Sequence, residues 1–329
     1  MKQMTAVFTK QTSRSQKRNT AVWYTAVSFL WLGAVALSVA ADNSKTAARF
    51  HLSMFQVRLI QLIFALPGLL IVLAILFGGL SIWRYARSIG ASKEGKGFRS
   101  IAYGIFALLV GLLAGNYLSD LQQLLSQHVA DPQKVKTDFV IISNYVAVLV
   151  SFVTYSMLLR GSRLLLDSLG KQLIAVRQLI LVPALFIVLA ALYAWLIHGN
   201  PNRQVSTDAT VGPVFGLSYW LTVFTVAVPL VASWLVGAIA LIHLRRYYTN
   251  TKGVVYKLLF RKFVKGMTLF IFLNIVLQLL TQLSSFYATR NLSAILSLII
   301  VVYGALVYAF ILIARGAQRL SMIENILVE

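Results

Sequence analysis

Apolar residues in this chain gather into runs of about 20, each closed by a polar or basic stretch. That length carries a helix across the hydrocarbon core of a bilayer. Eight runs stand out, at about 21–40, 58–83, 101–118, 139–159, 173–198, 218–244, 267–286 and 292–314. A membrane β-barrel would show short segments of alternating polarity instead. The pattern predicts an all-α polytopic membrane protein with eight transmembrane helices.

The runs repeat as a set. Pro67 to Gly104 matches Pro229 to Gly266 without a gap, 162 positions on. Arg84-Tyr85 falls on Arg246-Tyr247, Phe98-Arg99 on Phe260-Arg261, and Gly104 on Gly266. A proline, aromatic–basic doublets and a glycine held in one register are the remains expected of a duplicated membrane unit whose lipid-facing residues have drifted. The chain divides into a basic segment 1–20, a four-helix unit 21–170 and a second unit 171–329 with a short amphipathic tail. Four spans per unit is an even number. The two units therefore insert the same way up, related by an axis along the membrane normal.

Within this plan, Pro67-Gly68 interrupts the second span and Pro229 the sixth; proline removes a helix hydrogen bond and favours a kink. Gly111 and Gly115 on the third span have the GxxxG spacing that admits a close helix neighbour. Ala288-Thr289-Arg290-Asn291 is a very short turn between the last two spans. Ser38-Val39-Ala40 resembles a signal-peptidase site. The preceding apolar run is longer than a usual signal core, and the second unit has a matching span, so the first helix reads as retained.

Composition sharpens the picture. The chain has 329 residues, 59% apolar and 12% charged, with a mean hydropathy of +0.78. The net charge of +21 would suggest nucleic acid in a soluble protein. Here 23 of the 30 Lys and Arg fall on one side of the predicted topology, and seven on the other. The positive-inside rule then puts both termini in the cytoplasm, leaves no role for nucleic acid, and makes anionic lipid headgroups the expected partner. Arg84, Arg99, Arg246 and Arg261, at the inner ends of helices, are the expected headgroup contacts. The absence of cysteine excludes disulfides, thiol catalysis and Cys-ligated metals.

The four-span unit resembles a bacterial family of uncharacterised four-helix membrane domains. The residues that carry the resemblance are Phe64-Ala65-Leu66-Pro67, Phe98-Arg99-Ser100-Ile101-Ala102-Tyr103 and Leu118-Ser119-Asp120-Leu121. It covers about 20–165 and, more weakly, 175–320, where Gln282 replaces the acid. It implies a bacterial inner membrane and a tandem pair of such domains. It implies no activity.

No Lys, Arg, Asp or Glu lies at the centre of a span, so chemistry at depth rests on amides. Asn274, Gln278 and Gln282 recur every four residues, on one helix face. In the repeat register they overlay Leu112, Asn116 and Asp120. Asn116, Asp120, Asn274, Gln278 and Gln282 thus form a candidate polar seam between the units, serving either as a solute path or as interhelical hydrogen bonds. His51, His128, His198 and His243 lie at helix ends without metal-ligand spacing, and no haem pair, HExxH, P-loop or Rossmann fingerprint is present. Neither an enzyme nor a cofactor is expected. Two readings follow: an interaction, assembly or sensing protein with a membrane or cytoplasmic protein partner, or a small-solute transporter or channel using the seam. The lack of deep charges favours the first.

Overall fold

The computed structural model describes residues 2–40, 53–128, 132–170, 223–251 and 253–328. Every regular element among them is helical. In chain order these are α1 (Lys2–Ala40), α2 (Met54–Ser88), α3 (Lys93–His128), α4 (Pro132–Ser168), a π-helical turn (Val223–Ala227), α5 (Val228–Asn250) and α6 (Val254–Val328). Seven segments among them are long and apolar enough to cross a membrane. The predicted fifth span, 173–198, lies outside the described residues.

The helices outrun the apolar runs. The basic segment 84–99 is mostly helix, broken only between Ser88 and Lys93, and the segment 245–265 is broken only between Asn250 and Val254. Likewise α1 begins at Lys2, inside the basic N-terminal segment. Apolarity marks where lipid ends. A helix continues past that point while its backbone bonds are satisfied, until a residue such as Gly90, at φ +76°, turns the chain. The starts are capped locally. Ser53 and Gln56 form a reciprocal capping box at α2 (2.8 and 3.2 Å), and the Ser92 hydroxyl accepts from the Gly95 N–H at α3 (3.0 Å). The two prolines differ in effect. Pro67 lies inside α2, whereas Pro229 lies at the junction where the π-helical turn passes into α5.

The helical assignment of α6 runs unbroken over 75 residues, about 110 Å if straight. It is not straight. Phe263 meets Gly316, Gly266 meets Ile313, and Phe270 meets Phe310 at a ring separation of 5.1 Å. These pairs bring the two ends of α6 together antiparallel, so it folds back between Phe270 and Phe310 as two arms.

The same contacts close α3 against α4. A Cβ on Gly104 would stand 2.8 Å from the Thr154 carbonyl oxygen; on Gly266 it would stand 2.8 Å from that of Ala309. A Cβ on Gly161 would meet Ile101 and the Gly97 carbonyl, and one on Gly316 would meet the Phe263 backbone. Both hairpins therefore bring backbones together at two glycine positions, which is how helices attract in lipid without a hydrophobic drive. The hairpins are joined by α2 along α6 and α5 along α4. Gly78 on α2 receives Phe310, and Gly237 on α5 receives Tyr155. The first helix is built in as well. The Trp31 ring fills the space over Gly68, its indole N–H donates to the Ala65 carbonyl (3.0 Å), and the Tyr117 hydroxyl donates to the Leu30 carbonyl (2.6 Å). Large apolar side chains such as Phe55, Leu66, Leu149, Phe272 and Val301 remain exposed on the outside, as a lipid-facing surface requires.

The GxxxG pair is used by half. A Cβ on Gly111 would lie 2.3 Å from Val150, while one on Gly115 would meet nothing within 4 Å. Gly115→Ala should therefore leave melting in detergent unchanged or slightly raised, through helix propensity. Gly111→Leu should lower stability by about 1–3 kcal/mol through overpacking. Thermal unfolding followed by tryptophan fluorescence checks both, and an equal response at the two sites would remove the assigned α3–α4 contact.

Candidate functional site

Two groups of polar side chains occupy the interior, and a third lies at the end of the bundle that carries the basic turns. The predicted seam supplies the first two. On α6, the Asn274 amide donates to the Tyr155 hydroxyl of α4 (2.6 Å), and Gln278 Oε1 accepts from the Trp234 indole N–H of α5 (3.0 Å). One turn of α6 is thereby tied to two other helices by one bond from each amide. Asn116 goes elsewhere. Its amide donates to the Leu112 carbonyl of its own helix (2.9 Å), and it lines a cavity of about 220 Å³ with Trp31, Ser38, Gln61, Gly68 and Tyr303. In that cavity Gln61 donates to the Ser38 carbonyl and hydroxyl (3.4 and 3.3 Å), and its buried Oε1 has no partner among the described residues. The side chains of Asp120 and Gln282 lie outside the described residues.

The third group escaped sequence reasoning. Glu94, in the first turn of α3, has its carboxylate among three tyrosines from three other helix ends. The Tyr247 hydroxyl, at the end of α5, and the Tyr256 hydroxyl, at the start of α6, both donate to Glu94 Oε1, the latter at 2.7 Å. Tyr256 also lies 3.3 Å from the Tyr85 hydroxyl of α2 and 3.1 Å from that of Tyr247. Each hydroxyl has one proton. With those of Tyr247 and Tyr256 given to the carboxylate, Tyr85 donates to Tyr256, and the Tyr247–Tyr256 contact is two oxygens converging on one acceptor. The start of a helix favours a negative charge.

A layer of aromatic rings closes this cluster from the interior. Phe98 packs edge-on against Phe260 at 6.1 Å and against Phe263 at 5.7 Å. Tyr85 meets Phe98 at 4.8 Å and 74°, and Tyr247 meets Phe260 at 5.2 Å and 72°. Phe98, Phe260 and Phe263 are wholly buried. One signal for the site was present in the sequence. Glu94 is the single acid between Arg84 and Arg99, and the 162-residue register sets it opposite Tyr256. Because the two residues differ, a search for identities passes over them.

The arginines expected at lipid headgroups divide. Arg84 and Arg261 are exposed, while Arg99 and Arg246 are half-buried. Arg84 reaches back to the Thr20 hydroxyl of α1. Arg99 donates from one terminal nitrogen to the Gly90 carbonyl and so braces the turn between α2 and α3. Its Nε is buried without a partner among the described residues. No group of three or more His, Asp or Glu that could hold a metal occurs among the described residues.

Removing the carboxylate leaves two hydroxyls without their acceptor. Glu94→Ala should cost about 1–3 kcal/mol, whereas Glu94→Gln keeps an acceptor oxygen and should recover most of it. Comparing the two melting temperatures in one detergent checks this; identical melting of Glu94→Ala and the parent would show that the cluster does not hold the helix ends.

No protein-family model matches the chain, and neither the curated proteins nor the solved structures contain a significant match.

Proposed function

We propose that this is an integral membrane protein of eight helices, two tandem four-helix units about an axis along the membrane normal, that works by interaction rather than by catalysis or flux. Its role is assembly or sensing in a cell membrane, with both termini cytoplasmic. The observation that carries the functional reading is the state of the seam. Asn274 and Gln278 are each bonded to a side chain of a neighbouring helix, Tyr155 and Trp234, and the rings of Phe98, Phe260 and Phe263 fill the space beneath the Glu94 cluster. A solute path between the units would need polar groups left for the solute and room for it to pass.

The duplication draws support from contacts as well as from sequence. Phe98 and Phe260 occupy equivalent positions and touch each other, as residues on a pseudo-twofold axis must. Tyr85–Phe98 and Tyr247–Phe260 are the same edge-on pair in each unit. Gly104 and Gly266 meet a carbonyl at the same 2.8 Å, and Gly161 and Gly316 each follow an arginine. The resemblance to bacterial four-helix membrane domains fits the same plan.

The second reading, a small-solute transporter, is favoured by one feature, the cavity where Gln61 Oε1 and Asn116 stand. Proteoliposomes loaded with a panel of small neutral and ionic solutes separate the two. The interaction reading expects release no faster than from empty vesicles. Fast release that Gln61→Leu and Asn116→Leu abolish, with melting unchanged, would replace it with transport. Orientation is tested separately on a chain that has no cysteine of its own. A cysteine introduced at 91 should react with an impermeant maleimide only from the cytoplasmic side, and one at 130 only from the outside; the reverse pattern would overturn the topology.

A further inference from the structure

We infer that the cleft between α3 and α4 at the basic end of the bundle is a binding site for one anionic glycerophospholipid, with its phosphate held by Lys96, Arg99 and Arg160. This rests on the membrane reading but on neither the duplication nor the interaction role.

The cleft has a volume of about 390 Å³ and is lined by Lys96, Arg99, Ser100 and Tyr103 from α3 and by Met157, Arg160 and Leu164 from α4. Lys96, Arg99 and Tyr103 on α3, and Met157, Arg160 and Leu164 on α4, are spaced three or four apart, so each helix offers one continuous face. The glycine contacts fix their relative heights. Gly97 lies level with Gly161, and Gly104 level with Thr154. Arg99 and Arg160 therefore stand at nearly one height, with Lys96 close by toward the end of the bundle. Tyr103 and Met157 lie deeper, toward the centre. Charge at the mouth and an aromatic and apolar wall below is the order in which a phospholipid presents phosphate, then glycerol, then acyl chain.

Three cations and no carboxylate line this cleft. The nearest acid on α4, Asp167, lines the adjoining cavity and is engaged by Lys93 at 3.1 Å. Arg99 adds an independent sign. One of its terminal nitrogens is committed to the Gly90 carbonyl, which fixes the guanidinium, while its buried Nε has no partner among the described residues. A buried N–H donor without an acceptor is costly, so the Arg99 guanidinium retains capacity for an acceptor. Basic pockets between transmembrane helices near a membrane surface select anionic headgroups on this physical ground. A free anion would gain the same charge contacts but would leave Tyr103, half exposed, and Met157 uncovered.

Native mass spectrometry of the full chain in detergent tests the site, with phosphatidylglycerol and phosphatidylcholine of identical acyl chains as probes. Phosphatidylglycerol adducts should dominate, and Arg160→Gln should weaken them about fivefold, the worth of one basic residue near an anionic surface. Arg245→Gln, exposed in the other basic turn, should leave them unchanged. Arg99→Gln also loosens the turn at Gly90, so Arg160→Gln, whose melting should match the parent, is the deciding variant. Equal retention of the two lipids, or adducts unchanged in Arg160→Gln, would overturn the proposal. So would displacement of phosphatidylglycerol by millimolar glycerol phosphate, which would make the site one for a soluble anion.

Discussion

Helices surrounded by hydrocarbon gain nothing by hiding apolar surface from one another, so their association depends on close approach and on polar groups that find partners. In this bundle the close approach is made by glycine. Gly97 with Gly161, and Gly316 with the backbone of Phe263, leave less space than a single added carbon requires. Those contacts set the spacing of the two hairpins, and the spacing sets everything stacked on them. The Phe98–Phe260 layer, the height of Arg99 beside Arg160, and the seat of Tyr155 against Gly237 all follow from it. Side chains elsewhere adjust by rotating; a helix backbone does not.

Polar bonding supplies what approach alone cannot, a defined rotation and register for each helix. Asn274 and Gln278 act one turn apart on the same arm of α6 and reach two different helices, so that arm cannot turn without losing both bonds. Trp31 does the same for α1, with its ring on Gly68 and its N–H on the Ala65 carbonyl. Each such bond is worth about 0.6–2 kcal/mol in a membrane. None is large, but a helix facing lipid has few competing interactions.

Much of the helical plan was readable because bilayer thickness and the cost of charge at depth act on every residue of a span alike, and so leave a signal averaged over about 20 positions. What depends on single partners was not. The stripe of Asn274 and Gln278 could be placed on one face of a helix, but Tyr155 and Trp234 come from parts of the chain that no local period links to it. Asn116 shares the register of Gln278, yet the indole that bonds Gln278 has no counterpart beside it, because Val72 stands at the position 162 residues before Trp234. Glu94 was hidden by being unlike its counterpart. Helix ends were misplaced because the basic segments look like loops by polarity while their backbones continue to bond as helix.

The difference between Glu94 and Tyr256 has a consequence for how such a bundle can be assembled. If two identical chains met on a twofold axis here, whatever one chain placed beside the axis would be placed there twice. Two carboxylates sharing so small and enclosed a space would repel, and one would have to take up a proton. Two tyrosines would be tolerated but would offer no anion to gather the surrounding hydroxyls. A single polypeptide escapes that choice. It can hold one acid with a neutral residue opposite, and so bring two donors from two helices onto one charge, with a third tyrosine donating to one of them. Covalent continuity here is more than a tether between halves: it permits a centre that perfect symmetry forbids.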